Sequence, residues 1–228
     1  MKSIIYIPAR SGSKRIINKN IKILNQKPLL YWTIDFALKF KNIPIIISTD
    51  NEKWAKQIIK QYKDKITISI RPANLSKDKS NIIDAIKFDL KKINNKNNNL
   101  KVLLFQPTSP FRNYYKINSI LKKAINKKSF SLASFKIVLK NKNFFLNKKD
   151  KLIKSNSYLL ANGNFYISSL NLLIKYNSFI NEKTIPYISS TEYENLDIDY
   201  IDQLKSAEQI INKKRLPIHL LKFFTSNA

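Results

Sequence analysis

The chain reads Ile7-Pro-Ala-Arg-Ser-Gly-Ser-Lys-Arg-Ile-Ile-Asn-Lys-Asn-Ile-Lys22, directly after an apolar run from Ser3 to Pro8. That run has the make-up of a buried strand, and it breaks into a loop carrying Arg10, Gly12, Lys14, Arg15 and Lys19. Ala9, Ser11, Gly12 and Ser13 are small, so the backbone can pass close to a ligand. Consecutive N–H groups in such a loop form an anion nest, and the cations add charge-assisted hydrogen bonds. A phosphate chain is the guest this suits; the plain alternative is a basic surface loop between a strand and a helix. Scarcity favours the first. The chain has two glycines, Gly12 and Gly163, and five Arg among its 42 basic residues, and two of those Arg lie in this loop.

Outward from the loop, elements alternate. Pro28 to Phe40 has helical apolar spacing, and Ile43 to Ser48 is a continuous apolar run ending in Ser48-Thr49-Asp50, as in a buried parallel strand. Helix is expected over Glu52–Tyr62, Ser80–Ile93 and Tyr114–Asn126. Strand is expected over Ile66–Ile70, Leu100–Phe105 and Phe130–Phe135. This order predicts an α/β fold with a doubly wound, mostly parallel sheet in one domain spanning residues 1–228. The rhythm fails from Lys136 to Tyr158, which predicts a small inserted β segment. It returns with Asn162–Ile167, a helix over Ser168–Tyr176 and a strand at Ile185–Ile188. A last helix is expected over Asp199–Asn212, with Lys213, Lys214 and Arg215 at its C-terminus. The tail from Leu216 to Ala228 reads as a docked or frayed end.

Composition narrows the function. The formal charge is +27, but Lys is spread through every segment and mixed with Asn and Ile. A compositional drift of the kind an AT-rich genome causes explains that better than a nucleic-acid footprint, so no nucleic-acid partner is expected. No run approaches 18 apolar residues, so no membrane partner is expected. Met1 to Arg10 is too short and too soon interrupted for a signal peptide, which fits a cytoplasmic protein. The absence of cysteine excludes disulfides and thiolate metal sites, and the lone His219 argues against a His catalyst or His-based metal cluster.

Five stretches carry chemistry, and all lie at strand ends or in the loops after them, where open α/β sheets bind ligands. The first is the basic loop. The second is Arg71-Pro72-Ala73-x-Leu75-x-x-Asp78, with Ser80 following. The third is Gln106-Pro107-Thr108-Ser109-Pro110-Phe111-Arg112, where two prolines fix the backbone so that the Gln106 amide can meet sugar hydroxyls or a carboxylate. The fourth is Asn162-Gly163-Asn164-Phe165-Tyr166-Ile167, where Gly163, one of two glycines, allows a close approach or a positive φ. The fifth is Asp197-Ile198-Asp199. Alternation in an extended segment puts its two carboxylates on one side, a hard-oxygen pair that suits Mg²⁺.

Together, from residue 3 to about 209, these stretches resemble the CMP-nonulosonic acid synthetases, the acylneuraminate cytidylyltransferase-like family. The resemblance implies transfer of a cytidylyl group from CTP to an acidic 2-keto sugar, with release of pyrophosphate. It implies Arg10, Lys19 and Asp199 as catalytic residues. It implies nucleotide binding by Arg10, Ser13, Lys14, Asn20, Arg71 and Ser80, and sugar binding by Gln106, Asn162 and Tyr166. It implies Mg²⁺ on Asp199 and Asp197. No side chain stands out as a general base. The chain departs from the family at Arg15 and Ile17, and it lacks the Arg that often precedes the N-G motif, where Lys151 or Lys154 could supply a point charge. The acceptor sugar therefore stays open. The family's dimeric habit, with apolar Phe144, Phe145, Leu146, Leu152 and Ile153, implies a homodimer through residues 136–160. Two other readings are a metal-dependent nucleotide-sugar glycosyltransferase and a basic nucleic-acid-binding protein.

Overall fold

In a computed structural model, residues 2–93, 97–139, 145–146, 152–153, 157–189 and 191–212 are described. The strands are β1 (Ser3–Pro8), β2 (Ile23–Leu24), β3 (Lys27–Pro28), β4 (Ile45–Thr49), β5 (Thr67–Ile70), β6 (Lys101–Leu104), β7 (Ser131–Leu139), β8 (Phe145–Leu146), β9 (Leu152–Ile153), β10 (Ser157–Ser169) and β11 (Ile185–Ile188). The helices are α1 (Leu29–Ala37), α2 (Glu52–Tyr62), α3 (Ile82–Lys92), α4 (Tyr114–Ala124), α5 (Leu170–Tyr176) and α6 (Ile201–Asn212).

Seven strands form one sheet in the order β11-β7-β10-β6-β1-β4-β5. All run the same way except β10, which is antiparallel to both β6 and β7. The mostly parallel, doubly wound expectation holds. Its cause is visible in the alternation of the central strands. Ile5, Ile7, Ile45, Ile47 and Leu103 face one side and pack with Leu30, Ile34, Trp54, Ile58, Ile117 and Leu121 of α1, α2 and α4. Ile4, Tyr6, Ile46, Val102 and Leu104 face the other and pack with Ile83, Ile86, Leu90, Leu170 and Leu173 of α3 and α5. Strands covered on both faces must be apolar at every position, which is why they read as unbroken runs. A third cluster joins Leu204, Ala207 and Ile211 of α6 to Leu24, Leu29, Trp32, Phe111 and Ile198.

The abundant asparagine has a local use. Asn51, Asn81 and Asn113 each accept from a backbone N–H in the first turn of α2, α3 and α4, a cap typically worth about 1 kcal/mol.

Several boundaries differ from expectation. β7 runs on to Leu139, four residues past Phe135, because β10 pairs with it along Phe135–Leu139. The break in rhythm is thus partly an extension of two sheet strands, and β8 and β9 form a separate antiparallel pair. Asn162–Ile167 lies inside β10, next to the sheet's centre, and the register shifts between Ala161 and Tyr166. A bulge of this kind lets a strand turn its side chains without ending. The last helix begins at Ile201, because Gln203 Oε1 accepts from the N–H groups of Asp199 and Tyr200 and does the capping itself. Lys151, Lys154, Lys213, Lys214, Arg215 and the tail from Leu216 lie outside the described residues. Among the described residues no helix is long and apolar enough to cross a membrane.

Candidate active site

β1 lies between β6 and β4: the chain passes from β1 to β4 and β5 on one side, and returns through α3 to β6 on the other. This is the switch point at which an open parallel sheet leaves a crevice. A cleft of about 340 Å³ opens there, lined by the ends of four segments: Pro8 to Asn20, Arg71 to Ile82, Gln106 to Thr108, and Asp197 with Asp199.

The basic loop is tied at both ends. Asp50, at the end of β4, accepts from Ser11 N at 2.7 Å and Ser11 Oγ at 2.9 Å. Asn20, 5% exposed, donates from Nδ2 to the carbonyl of Arg10 at 2.8 Å. A loop closed in this way keeps its cations in place without a ligand. Arg10 donates to Asp78 Oδ1 at 2.6 Å, and Lys14 pairs with Asp78 Oδ2 at 2.7 Å. Lys19 and Arg15 pair with the two oxygens of Asp199 at 2.5 and 2.8 Å. These four cations, Ser13 and the two carboxylates line a second hollow of about 340 Å³ beside the first.

Asp197 differs from Asp199. Burial raises its pKa, and the nearby Asp199 charge adds to that; a hydrogen bond from the Thr108 side chain and the charges of Lys19 and Lys136 oppose it. Its Oδ1 is buried with no hydrogen-bond partner. Arg71, 5% exposed, lines the cleft, and its Nε is likewise buried without a partner. Buried polar atoms in native structures are nearly always satisfied, so two orphans at one cleft point to a guest with polar atoms of its own.

Two supports carry the cleft's floor. Arg112 is fully buried and donates to the carbonyls of Asn164 and Gln106 at 2.6 and 2.5 Å and to Thr33 Oγ1 at 3.2 Å. It thereby locks the Gln106–Phe111 turn to β10 and α1. Gly163 has φ +74°, a left-handed conformation that favours glycine. A Cβ added there would lie 2.9 Å from Gln106 Oε1 and 3.3 Å from Asp197 Oδ2.

Of the residues singled out in the sequence, Arg10, Ser13, Lys19, Asn20, Arg71, Ser80, Gln106, Asp197 and Asp199 share the cleft, and Lys14 lines the adjoining hollow. Ser80 is committed to its own turn, donating to Asn74 O and accepting from Lys77 N. Asn162 and Tyr166 do not line the cleft. Asn162 is 2% exposed and spends its amide on Ser189 Oγ and Asn195 Oδ1 at 2.8 Å each, and on Asn164 N. It ties β10 to the segment before Asp197 and has no donor left for a sugar. Tyr166 packs against Phe179 and the α3/α5 core, and burial, with Asp197 adding, pushes its hydroxyl up to about 12. Asp50, Asp78, Thr108 and Arg112 complete the site without having been assigned to it. Asp78 and Arg112 stood in quoted motifs, but an acid in a phosphate site and a buried Arg give no signal until their partners are known.

The sequence model of the cytidylyltransferase family matches residues 4–222. N-acylneuraminate cytidylyltransferase of Streptococcus agalactiae serotype V is 32% identical over 148 residues, 64% of this chain and 34% of that protein. CMP-N,N'-diacetyllegionaminic acid synthase of Legionella pneumophila is 38% identical over 114 residues, 49% of this chain and 48% of that one. The chain spans about a third of the length of the streptococcal relative it matches. Among solved structures, the CMP:2-keto-3-deoxy-manno-octonic acid synthetase complexed with CTP superposes with a TM-score of 0.65 at 13% identity, over 94% of this chain and 100% of that one, and so shares its fold. Sheet, cleft and family match all point the same way: the chain belongs to the cytidylyltransferase family.

Proposed function

We propose that the protein transfers a cytidylyl group from CTP to the anomeric hydroxyl of an acidic 2-keto sugar of the nonulosonate class. The sugar oxygen bonds to the α-phosphorus, the bond from that phosphorus to the bridging oxygen breaks, and pyrophosphate leaves with its electrons. The hydroxyl proton is lost to solvent or product phosphate. The observation that carries the reading is the meeting, at one cleft, of Arg10 and Lys19 of the basic loop with the two carboxylates of Asp197-Ile198-Asp199, while Lys14 and Arg15 line the hollow beside it. Such transfer needs positioning and charge neutralisation more than covalent help. Arg10, Lys14 and Lys19 hold the phosphates and the departing pyrophosphate, Arg71 and Ser13 line the nucleotide's side, and Gln106 faces the acceptor.

Members of the family generally use a divalent metal. The donor set here fits one: two hard carboxylates, one with an orphaned buried oxygen. Among the described residues no group of three or more acidic, His or Cys side chains converges as a closed cage, so phosphate and water oxygens would complete the shell, as suits Mg²⁺. Held by Asp199 and Asp197, the metal would neutralise triphosphate charge and polarise the attacking hydroxyl.

The test is a panel of nucleoside triphosphates against 2-keto sugar acids with pyrophosphate as readout; release only with CTP and a nonulosonate supports the reading. Arg10→Ala should weaken CTP use at least about tenfold, the loss of one charge-assisted bond. Lys122→Ala should change nothing at physiological salt. Lys122 sits with Lys2 and Ser3 at the opposite end of β1 from the cleft. Six strand residues put that roughly 17–20 Å away, beyond a screening length of about 8 Å. Equal losses in both variants would favour a merely basic protein.

The protein is proposed to act in the cytoplasm, as a homodimer through the segment around residues 136–160. Ile137, Tyr158, Leu159 and Leu160 are 42–53% exposed where β7 and β10 extend together, an apolar stretch that a monomer would leave in water. Light scattering should give twice the chain mass at micromolar concentration; a stable monomer refutes the dimer.

A further inference from the structure

The acid facing the phosphate loop carries the inference. Asp78 stands on the segment that forms one wall of the cleft, and it also lines the adjoining hollow. Both of its carboxylate oxygens are taken, one by Arg10 and one by Lys14. Each is at charge-assisted hydrogen-bond distance, and their bonds hold its pKa below the usual carboxylate value, Lys14 foremost. Two oxygens on two loop cations are what a phosphate group would present in the same place. The segment is otherwise held locally: Leu75 N to Pro72 O, Ser76 N to Ala73 O, and the Ser80 hydroxyl to Asn74 O. Through Asp78, then, the loop grips the 72–80 wall by the same donors that a triphosphate needs.

We propose that Asp78 is an internal competitor for the phosphate chain, occupying Arg10 and Lys14 until a ligand with enough negative charge displaces it. This deepens the cytidylyltransferase reading and rests on it. One phosphate group can replace both bonds, but a triphosphate brings several such groups and more negative charge, so it displaces the carboxylate more completely than a monophosphate does. Asp78 therefore sets how strongly the loop discriminates by phosphate number. Its return to Arg10 and Lys14 helps pyrophosphate leave. Displacement also unties the 72–80 wall, which carries Arg71's neighbours, so nucleotide binding and the position of that wall are linked.

The experiment measures binding of inorganic tripolyphosphate, without divalent cation, to the parent protein, Asp78→Asn, Asp78→Ala and Arg10→Ala. A competitor lost is affinity gained. Both Asp78 variants should bind about three- to tenfold tighter, the scale set by two solvent-exposed ion pairs. The gap should narrow at high salt. Arg10→Ala should bind at least about tenfold weaker. In hydrogen exchange, tripolyphosphate should loosen residues 73–80 of the parent and leave those of Asp78→Asn unchanged. If both Asp78 variants bind equally or more weakly while Arg10→Ala is weakened, Asp78 merely positions the cations and the competitor is overturned. If parent and Arg10→Ala bind alike, the phosphate reading of the loop falls, and the inference with it.

Discussion

Asp199→Asn is expected to fold as the parent does and to release pyrophosphate about a hundredfold more slowly or worse. Its carboxylate is 36% exposed and meets Lys19 and Arg15 in partly hydrated ion pairs, which contribute little to folding. Its helix is capped by Gln203, so the substitution removes no cap. What it removes is preorganised charge beside the reacting phosphates, and losing one such group costs about 10²–10³ in rate. Near-parental turnover at low Mg²⁺ would overturn the assignment. A loss of activity accompanied by a large drop in melting temperature would show a structural residue instead.

Arg112→Ala should show the opposite signature, a large loss of stability. Truncation leaves the carbonyls of Gln106 and Asn164 without donors in the interior and opens a cavity between the Phe36 and Phe105 rings, which lie 5.8 and 5.2 Å from the guanidinium. Losing the hydrogen bonds of a buried guanidinium and leaving a cavity in its place together cost about 3–5 kcal/mol. For a chain of this size that lowers the melting temperature by roughly 6–20 °C. Arg112→Lys should recover only part of this, because an ammonium keeps the charge and loses the fork that reaches both carbonyls at once. A shift of less than about 1 kcal/mol, read by denaturant titration, would refute the account.

Much of this was legible beforehand, for identifiable reasons. Ile4 to Ile7, Ile45 to Ile47 and Val102 to Leu104 are buried on both sheet faces, so their runs announced parallel strands. The loop announced itself because Arg10, Gly12 and Arg15 are rare residue types in this chain. The place of Asn162 was not legible because a strand-and-glycine motif does not show which face the bulge turns inward; in the fold its amide bonds Ser189 and Asn195. The β2–β3 hairpin escaped because its turn is Asn25-Gln26, both at positive φ, without the glycine that usually marks such turns. Asp50 and Asp78 escaped because their partners are 39 and 68 residues away.

Gly163 bears on what this chain can become. Its composition has drifted so far that one other glycine is left. At Gly163 even a methyl group would press on Gln106 at 2.9 Å, Ser109 at 3.1 Å and Asp197 at 3.3 Å, with the backbone already left-handed. No single codon change elsewhere relieves three neighbours and a dihedral angle together, so drift has no gradual path through this position. Gly12 is the contrast: an added Cβ would meet no atom within 4 Å. Packing within the chain guards one glycine and leaves the other open.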